Sequence, residues 1–194
     1  FSTAAIMAGD SVVGGLGANA ITLTTAGTVT DANLANVDDV QSLTLANGTN
    51  SVELGSNANL AGLNTVTGGT GVDAFTQTVV RAMTLDGGAG NDSFTFSTAA
   101  IMAGDSVVGG ANTDSITLTT DSQTVTNADL ANVSGVESLT FANGTNSVEL
   151  GANAATAGLN TVTGGTGVDA FTQTVARAMT LDGGAGNDSF TFST

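Results

Sequence analysis

Proline, cysteine, histidine, tryptophan, tyrosine and lysine are all missing from this 194-residue chain, and its only basic side chains are Arg81 and Arg177. Each absence excludes something. Without cysteine there is no disulfide framework and no thiol site, which is compatible with export because nothing needs oxidative folding. Without histidine, cysteine, lysine and tyrosine, most general bases and nucleophiles are gone. Only a carboxylate pair could do acid–base work, so the sequence predicts a non-enzyme. The formal charge is −15. Phosphate recognition needs clustered Lys and Arg, so nucleic acid and anionic lipid are excluded as partners, whereas cations suit the charge. No apolar run approaches the roughly 20 residues of a membrane span, which argues against membrane insertion. No basic-then-apolar leader opens the chain.

What remains is Gly, Ala, Ser, Thr, Asn and Val, arranged as a repeat. Phe1 to Gly15 reads FSTAAIMAGDSVVGG and recurs at Phe96 to Gly110, an offset of 95. Asn64-Thr65-Val66 recurs at Asn160-Thr161-Val162, an offset of 96. The added residue falls where Ala26-Gly27 becomes Asp121-Ser122-Gln123. The chain therefore divides into a first long repeat, 1–95, a second, 96–191, and the start of a further copy, 192–194. This arithmetic predicts one continuous solenoid and a window through a longer repetitive protein.

A shorter beat runs inside each repeat. Small-then-apolar pairs such as Ser51-Val52, Ala74-Phe75 and Ser93-Phe94 start segments with period-2 alternation, which favours strands. Two strands and two turns make a coil of about 18–20 residues, so solenoid logic predicts about ten coils. The predicted fold is all-β, a right-handed parallel β-solenoid with two strand faces and a thin core of Val, Ile, Leu, Met and Phe. Gly68 and Gly87 lie 19 apart, as do Gly164 and Gly183, and Gly109 follows Gly87 by 22. Phe75 should therefore stack inward on Phe94, and Thr76 outward on Thr95. Single helical turns are expected only at Ala4–Ala8, Ala99–Ala103 and Asn153–Ala157.

The most specific signal is a nonapeptide. Gly87 to Thr95 reads GGAGNDSFT, and Gly183 to Thr191 repeats it; Gly68 to Thr76 and Gly164 to Thr172 both read GGTGVDAFT. All four fit G-G-x-G-x-D-x-U-x, with U a large apolar residue, a parallel β-solenoid repeat with a calcium role. The glycines permit positive φ and let backbone carbonyls converge. The Asp supplies a hard oxygen, and the apolar U starts a strand.

These motifs resemble the RTX, or hemolysin-type calcium-binding, repeat family, and NVSGVESLTF at Asn132 to Phe141 resembles segments of large bacterial surface-layer and adhesin proteins of that type. The resemblance implies Ca²⁺ between the turns of successive coils, held by Asp carboxylates and turn carbonyls. Carried over, Gly68, Gly69, Gly71 and Asp73 pair with Gly87, Gly88, Gly90 and Asp92. Those in turn pair with Gly109 and Asp114. In the second repeat Gly164, Gly165, Gly167 and Asp169 pair with Gly183, Gly184, Gly186 and Asp188.

Departures are visible. GGANTDSIT has Asn112 at a glycine position, where Asn tolerates the left-handed conformation. GGLGANAIT has Asn19 in place of Asp, which puts metal there in doubt. The turns at Gly48–Val52 and Gly144–Val148 read as asparagine-ladder turns without metal. Asp10 and Asp105 read as turn-formers, and Asp86 and Asp182 as outer ligands or solvated groups. The competing reading of every Gly-Asp turn is an Asp that caps its own backbone with no metal. Arg81 and Arg177 are expected to meet neighbouring acidic side chains at the surface, and Glu53, Glu137 and Glu149 to point outward.

The expected function is structural: a calcium-binding segment of a long extracellular bacterial rod, such as a surface layer, adhesin stalk or filament. The resemblance implies secretion by a type I route, with an acidic, Gly-rich chain that stays unfolded until it meets calcium. Exposed end coils invite end-to-end self-association. The alternatives are an ice- or ligand-binding module built on outward Thr and Ser grids, and the folding-assist domain of a secreted enzyme.

Overall fold

The computed structural model describes residues 1–2 and 9–193. The helical turn expected at Ala4–Ala8 lies outside the described residues. The rest is a parallel β-solenoid, all of whose named strand pairs are parallel.

The first coil carries three strands, β1 (Val12–Val13), β2 (Ala20–Thr22) and β3 (Thr28–Val29), and so does the second, with β4 (Val37–Asp38), β5 (Ser42–Thr44) and β6 (Asn50–Leu54). After helix α1 (Ser56–Leu60), two coils carry two strands each: β7 (Thr65–Thr70) with β8 (Asp73–Gln77), and β9 (Thr84–Ala89) with β10 (Ser93–Phe96). The second repeat follows the same plan. After helix α2 (Ala99–Met102) come β11 (Ser106–Val108), β12 (Ser115–Leu118) and β13 (Thr124–Val125), then β14 (Val133–Ser134), β15 (Ser138–Thr140) and β16 (Ser147–Leu150). Helix α3 (Ala152–Ala157) precedes β17 (Thr161–Thr163), β18 (Ala170–Gln173), β19 (Thr180–Asp182) and β20 (Ser189–Phe192). The described chain thus winds eight times rather than about ten. The two-strand coil expected throughout holds only where the Gly-Asp motif recurs. Elsewhere a third strand or a helical turn lengthens the winding.

Equivalent strands of the two repeats do not share a sheet. β2, β5, β7 and β9 lie in one six-stranded sheet, which β11 and β14 complete. Their sequence equivalents β12, β15, β17 and β19 extend the eight-stranded sheet begun by β3, β6, β8 and β10. Each long repeat therefore shifts its strands by one face. The step occurs because β11 and β12, first and second in their coil, stack on β9 and β10.

Alternation sets the core. In β8, Asp73, Phe75 and Gln77 face inward, while Ala74 and Thr76 face outward. Phe75 stacks on Phe94 with ring centroids 5.0 Å apart and planes 9° from parallel, and Phe171 does the same on Phe190. Each such buried ring contributes on the order of 2–3 kcal/mol. Thr76 pairs outward with Thr95, as the spacing predicted.

The expected turns at Ala99–Ala103 and Asn153–Ala157 are present as α2 and α3, but α1 was not legible. Its reason is non-local. Asp31, one coil earlier, accepts the N–H groups of Gly55, Asn57 and Ala58 at 2.9–3.0 Å. Arg81, one coil later, donates to the carbonyls of Ala58 and Leu63. A helix too short to stand alone is thus held at both ends by charges of the sign its dipole favours.

Candidate metal centre

The Gly-Asp turns stack at one corner of the coil. Each begins as β7, β9 or β11 ends and delivers its Asp inward at the start of the next strand. Asn50, Asp73, Asp92 and Asp114 are all 2 % exposed or less. They form a ladder through their side chains. The N–H of Gly27 donates to Oδ1 of Asn50, Asn50 to Asp73, Asp73 to Asp92 and Asp92 to Asp114, at 3.1, 3.1, 2.8 and 2.7 Å. Asp114 N–H then meets Oε2 of Glu137 at 2.7 Å, so this Glu, expected to point outward, instead continues the column. Glu137 stands immediately before β15, in the register place that Asp114 holds before β12. At the next corner Gln123, Asn146, Asp169 and Asp188 repeat the arrangement.

The glycines leave room that a side chain would fill. A Cβ on Gly68 would lie 2.2 Å from the Gly87 carbonyl oxygen and 2.5 Å from Asp73 Oδ2. On Gly87 it would meet Asp92 Oδ2 and the Gly109 carbonyl, and on Gly164 Asp169 Oδ2 and the Gly183 carbonyl. In each turn a carboxylate oxygen and a carbonyl oxygen of the following coil converge. The paired turns carried over from the motif are therefore brought together. Gly109 adds a pairing that the motif did not predict: Asp114 Oδ2 converges with the carbonyl of Gly135. Gly135 stands alone in Ser-Gly-Val, so nothing in the sequence marked it. Asn112 does adopt a left-handed φ of 90°.

The two repeats supply their own comparison. Asn19 is the first-repeat counterpart of Asp114, and Asp39 that of Gly135. The Asn19 amide nitrogen donates to the carbonyls of Gly15, Gly17 and Asp39, at 3.0, 3.4 and 3.0 Å. Asn50 and Asn146 do likewise, donating to two carbonyls of their own turn and to Oδ1 of Asp73 or Asp169. Where the sequence has Asn, an N–H donor closes the cradle. Where it has Asp, a carboxylate oxygen takes the place of that donor beside the converging carbonyl oxygens.

The carboxylates are not equivalent. Asp73 is hydrogen-bonded at both oxygens, Oδ1 accepting from Asn50 and Oδ2 from Gly69 N–H at 3.0 Å. Asp169 matches it through Asn146 and Gly165. Oδ2 of Asp92 and of Asp114 is buried and has no partner. Burial, reinforced by the charges of Asp114, Asp73 and Asp86, pushes Asp92 up to about 6 against one backbone hydrogen bond. Burial also raises Asp114, with Glu137 adding to it.

A further buried carboxylate is Asp105, expected as a turn-former; its N–H does close a turn onto the Met102 carbonyl at 3.0 Å. Asp105 is 1 % exposed, and its Oδ1 accepts the N–H of Met83 at 2.8 Å. Its Oδ2 has no partner, and burial pushes it up to about 7. Arg81 and Arg177 do not bond acidic side chains as expected; they donate to main-chain carbonyls, Arg177 to that of Leu159. Arg81 and Arg177 each lie 19 residues past the Gly that follows a helix, Gly62 and Gly158, so the local sequence gave no hint of this. Asp182 accepts the Gly184 N–H at 3.0 Å, while Glu53 and Glu149 do point outward.

Among the described residues no three acidic side chains converge, so any cation would be held by carboxylates together with main-chain carbonyls. No helix among them is long and apolar enough to cross a membrane. The chain matches no family model, no curated protein and no solved structure.

Proposed function

We propose that this chain is a structural segment of a long extracellular repeat protein, and that calcium at its Gly-Asp corners ties successive coils together. One observation carries the reading: Asp114 Oδ2 faces the Gly135 carbonyl where Asn19 donates an N–H to the matching carbonyl of Asp39. A hard divalent cation accepts carboxylate and carbonyl oxygens together and offsets the charge of stacked, buried acids. The groups that would hold it are Asp73 with Gly87, Asp92 with Gly109, Asp114 with Gly135, and Asp169 with Gly183. Asp188 would hold it with a following coil. Calcium binding is then folding energy, since the cradle exists only when coils stack. The likeness to RTX repeats supports an extracellular site and a type I route. The missing nucleophiles and bases support a scaffold rather than a catalyst.

The test is calorimetric titration with calcium, with magnesium as control. Several sites per chain are expected for calcium, fewer in a variant carrying both Asp92→Asn and Asp114→Asn. Heat and stoichiometry identical in the variant would overturn the assignment.

A second reading has its own observation. The outer face of the eight-stranded sheet carries a column of threonines, Thr76, Thr95, Thr117, Thr140 and Thr163, in direct register. Beside it run Ser93, Ser115, Ser138 and Thr161. The strand shift between repeats makes this grid longer than three coils and uninterrupted by the degenerate turns. It supports binding to an ordered hydroxyl lattice such as ice. Thermal hysteresis that disappears in Thr117→Tyr would establish that reading, and its absence in the parent chain would remove it.

A further inference from the structure

The sequence contains two Asn-Gly steps, Asn47-Gly48 and Asn143-Gly144, at equivalent places in the two long repeats. Such a step is chemically reactive. The glycine nitrogen, once it has lost its proton, attacks Cγ of the preceding asparagine, because glycine has no Cβ to stand in the way. The new nitrogen–Cγ bond closes a five-membered imide, the bond from Cγ to Nδ2 breaks, and ammonia leaves. Water then opens the ring at either carbonyl and leaves aspartate or isoaspartate. Only water is consumed, and both asparagines are exposed to it.

The folded chain holds both reacting groups elsewhere. Thr70, in the following coil, donates its N–H to Oδ1 of Asn47 at 3.1 Å and accepts the Gly48 N–H at its carbonyl at 2.7 Å. Thr166 does the same for Asn143 and Gly144, at 3.1 and 2.7 Å. One residue of the next coil thus fixes the amide that would be attacked and the nitrogen that would attack it. It also holds in a hydrogen bond the proton that must leave. The next turn lies tight against the site. A Cβ on Gly71 would come 2.6 Å from the Gly48 carbonyl oxygen, and one on Gly167 2.2 Å from that of Gly144.

We propose that Asn47 and Asn143 are sites of spontaneous deamidation that the following coil holds shut, each opening when that coil lifts from the turn beneath it. Modification then records unstacking. Isoaspartate carries an extra methylene in the main chain, so the altered turn no longer spaces its side chain and the glycine N–H to meet both groups of one threonine. A coil that stays lifted long enough for the imide to form does not reseat as before, and a reversible opening becomes permanent. Contacts in a solenoid run between neighbouring coils, so the damage is placed at that one interface. The clamp needs stacked coils, whatever stacks them, so the proposal goes beyond the metal reading and does not rest on it.

Peptide mass spectrometry of the whole chain, aged in mildly alkaline buffer, follows amide loss and isoaspartate at each site. Folded protein is expected to deamidate at Asn47 and Asn143 at least about tenfold more slowly than the same chain in denaturant, since the reaction proceeds only through the opened state. Two variants separate local from global opening. Gly71→Ala should speed Asn47 and leave Asn143 slow, and Gly167→Ala should do the reverse, in protein that circular dichroism shows to be β-rich. Asn47→Ser keeps an oxygen for the Thr70 N–H, as Ser122 does for Thr145; it should abolish the first product and leave the second. Equal rates in folded and denatured chain would overturn the proposal, as would two sites that speed up together in either β-rich glycine variant. Where a variant unfolds outright, the parent chain in a series of low denaturant concentrations decides. Deamidation at each site should follow hydrogen exchange at its own glycine N–H, and rates that ignore that exchange would sink the proposal.

Discussion

Asp73 donates its main-chain N–H to Oδ1 of Asp92, 2.8 Å away and one coil further on. Successive coils are thus joined at this corner through carboxylates, in addition to their strand ladders. The arrangement places like charges one strand spacing apart, about 4.8 Å. N–H groups of Asn50 and Gly69 offset the charge of Asp73, whereas Oδ2 of Asp92 and of Asp114 has no such partner, which leaves a proton or, on the proposed reading, a cation.

The proton alternative gives a pH dependence with a definite sign. Asp92 and Asp105 are pushed up to about 6 and about 7 in the folded chain, above the ordinary value near 3.9 expected when unfolded. Their contribution is fully present below that ordinary value and is lost as pH rises through 6 to 7. In chelator, Tm should be higher at pH 5 than at pH 8. Saturating calcium should flatten that slope. Thermal melts at both pH values, with and without calcium, check it.

The carboxylates should separate in mutagenesis. Asp92→Asn removes a buried charge whose Oδ2 has no partner. In chelator it should be neutral or stabilising by about 1 kcal/mol, and in calcium it should be destabilising. Asp73 accepts from Asn50 and Gly69 at its two oxygens. Asp73→Asn would turn an amide donor toward the Gly69 N–H and should cost about 1–3 kcal/mol even in chelator. Denaturant unfolding under both conditions reads the crossover.

The aromatic ladder should weaken toward the end of the stack. Phe94 is fully buried against Phe75 and should cost about 3–5 kcal/mol as Phe94→Ala. Phe190 stacks on Phe171 at the same distance but is 42 % exposed, so Phe190→Ala should cost well under half as much. Equilibrium unfolding of the two variants gives the comparison.

Gly90 and Gly27 should differ sharply. Gly90 has φ of 148°, and a Cβ there would lie 1.7 Å from the Gly71 carbonyl oxygen. Gly27 has open space around it. Gly90→Ala should disrupt the stack between the third and fourth coils, while Gly27→Ala should shift Tm by no more than a few degrees. Dichroism and melting of both variants decide.

The strand positions were legible because period-2 alternation and the recurring Gly-Asp motif are local signals; Phe75 over Phe94 follows from counting 19 residues. The corner Asp residues were legible for the same reason. What escaped was non-local. Asp31 caps a helix two dozen residues later, and Arg81 caps its other end from the following coil. Glu137 and Asp105 enter buried columns that their own neighbours do not mark. The shift of strands between sheets was equally hidden, because it depends on which strand of a new coil meets the last strand of the old one.

On the proposed reading a cation completes the Asp corners. Circular dichroism during a calcium titration after chelation, with magnesium as control, tests it most directly. A gain of β signal and of melting temperature driven by calcium and not by magnesium is expected. A chain already fully β-rich in chelator, with a melting temperature indifferent to calcium, would contradict it.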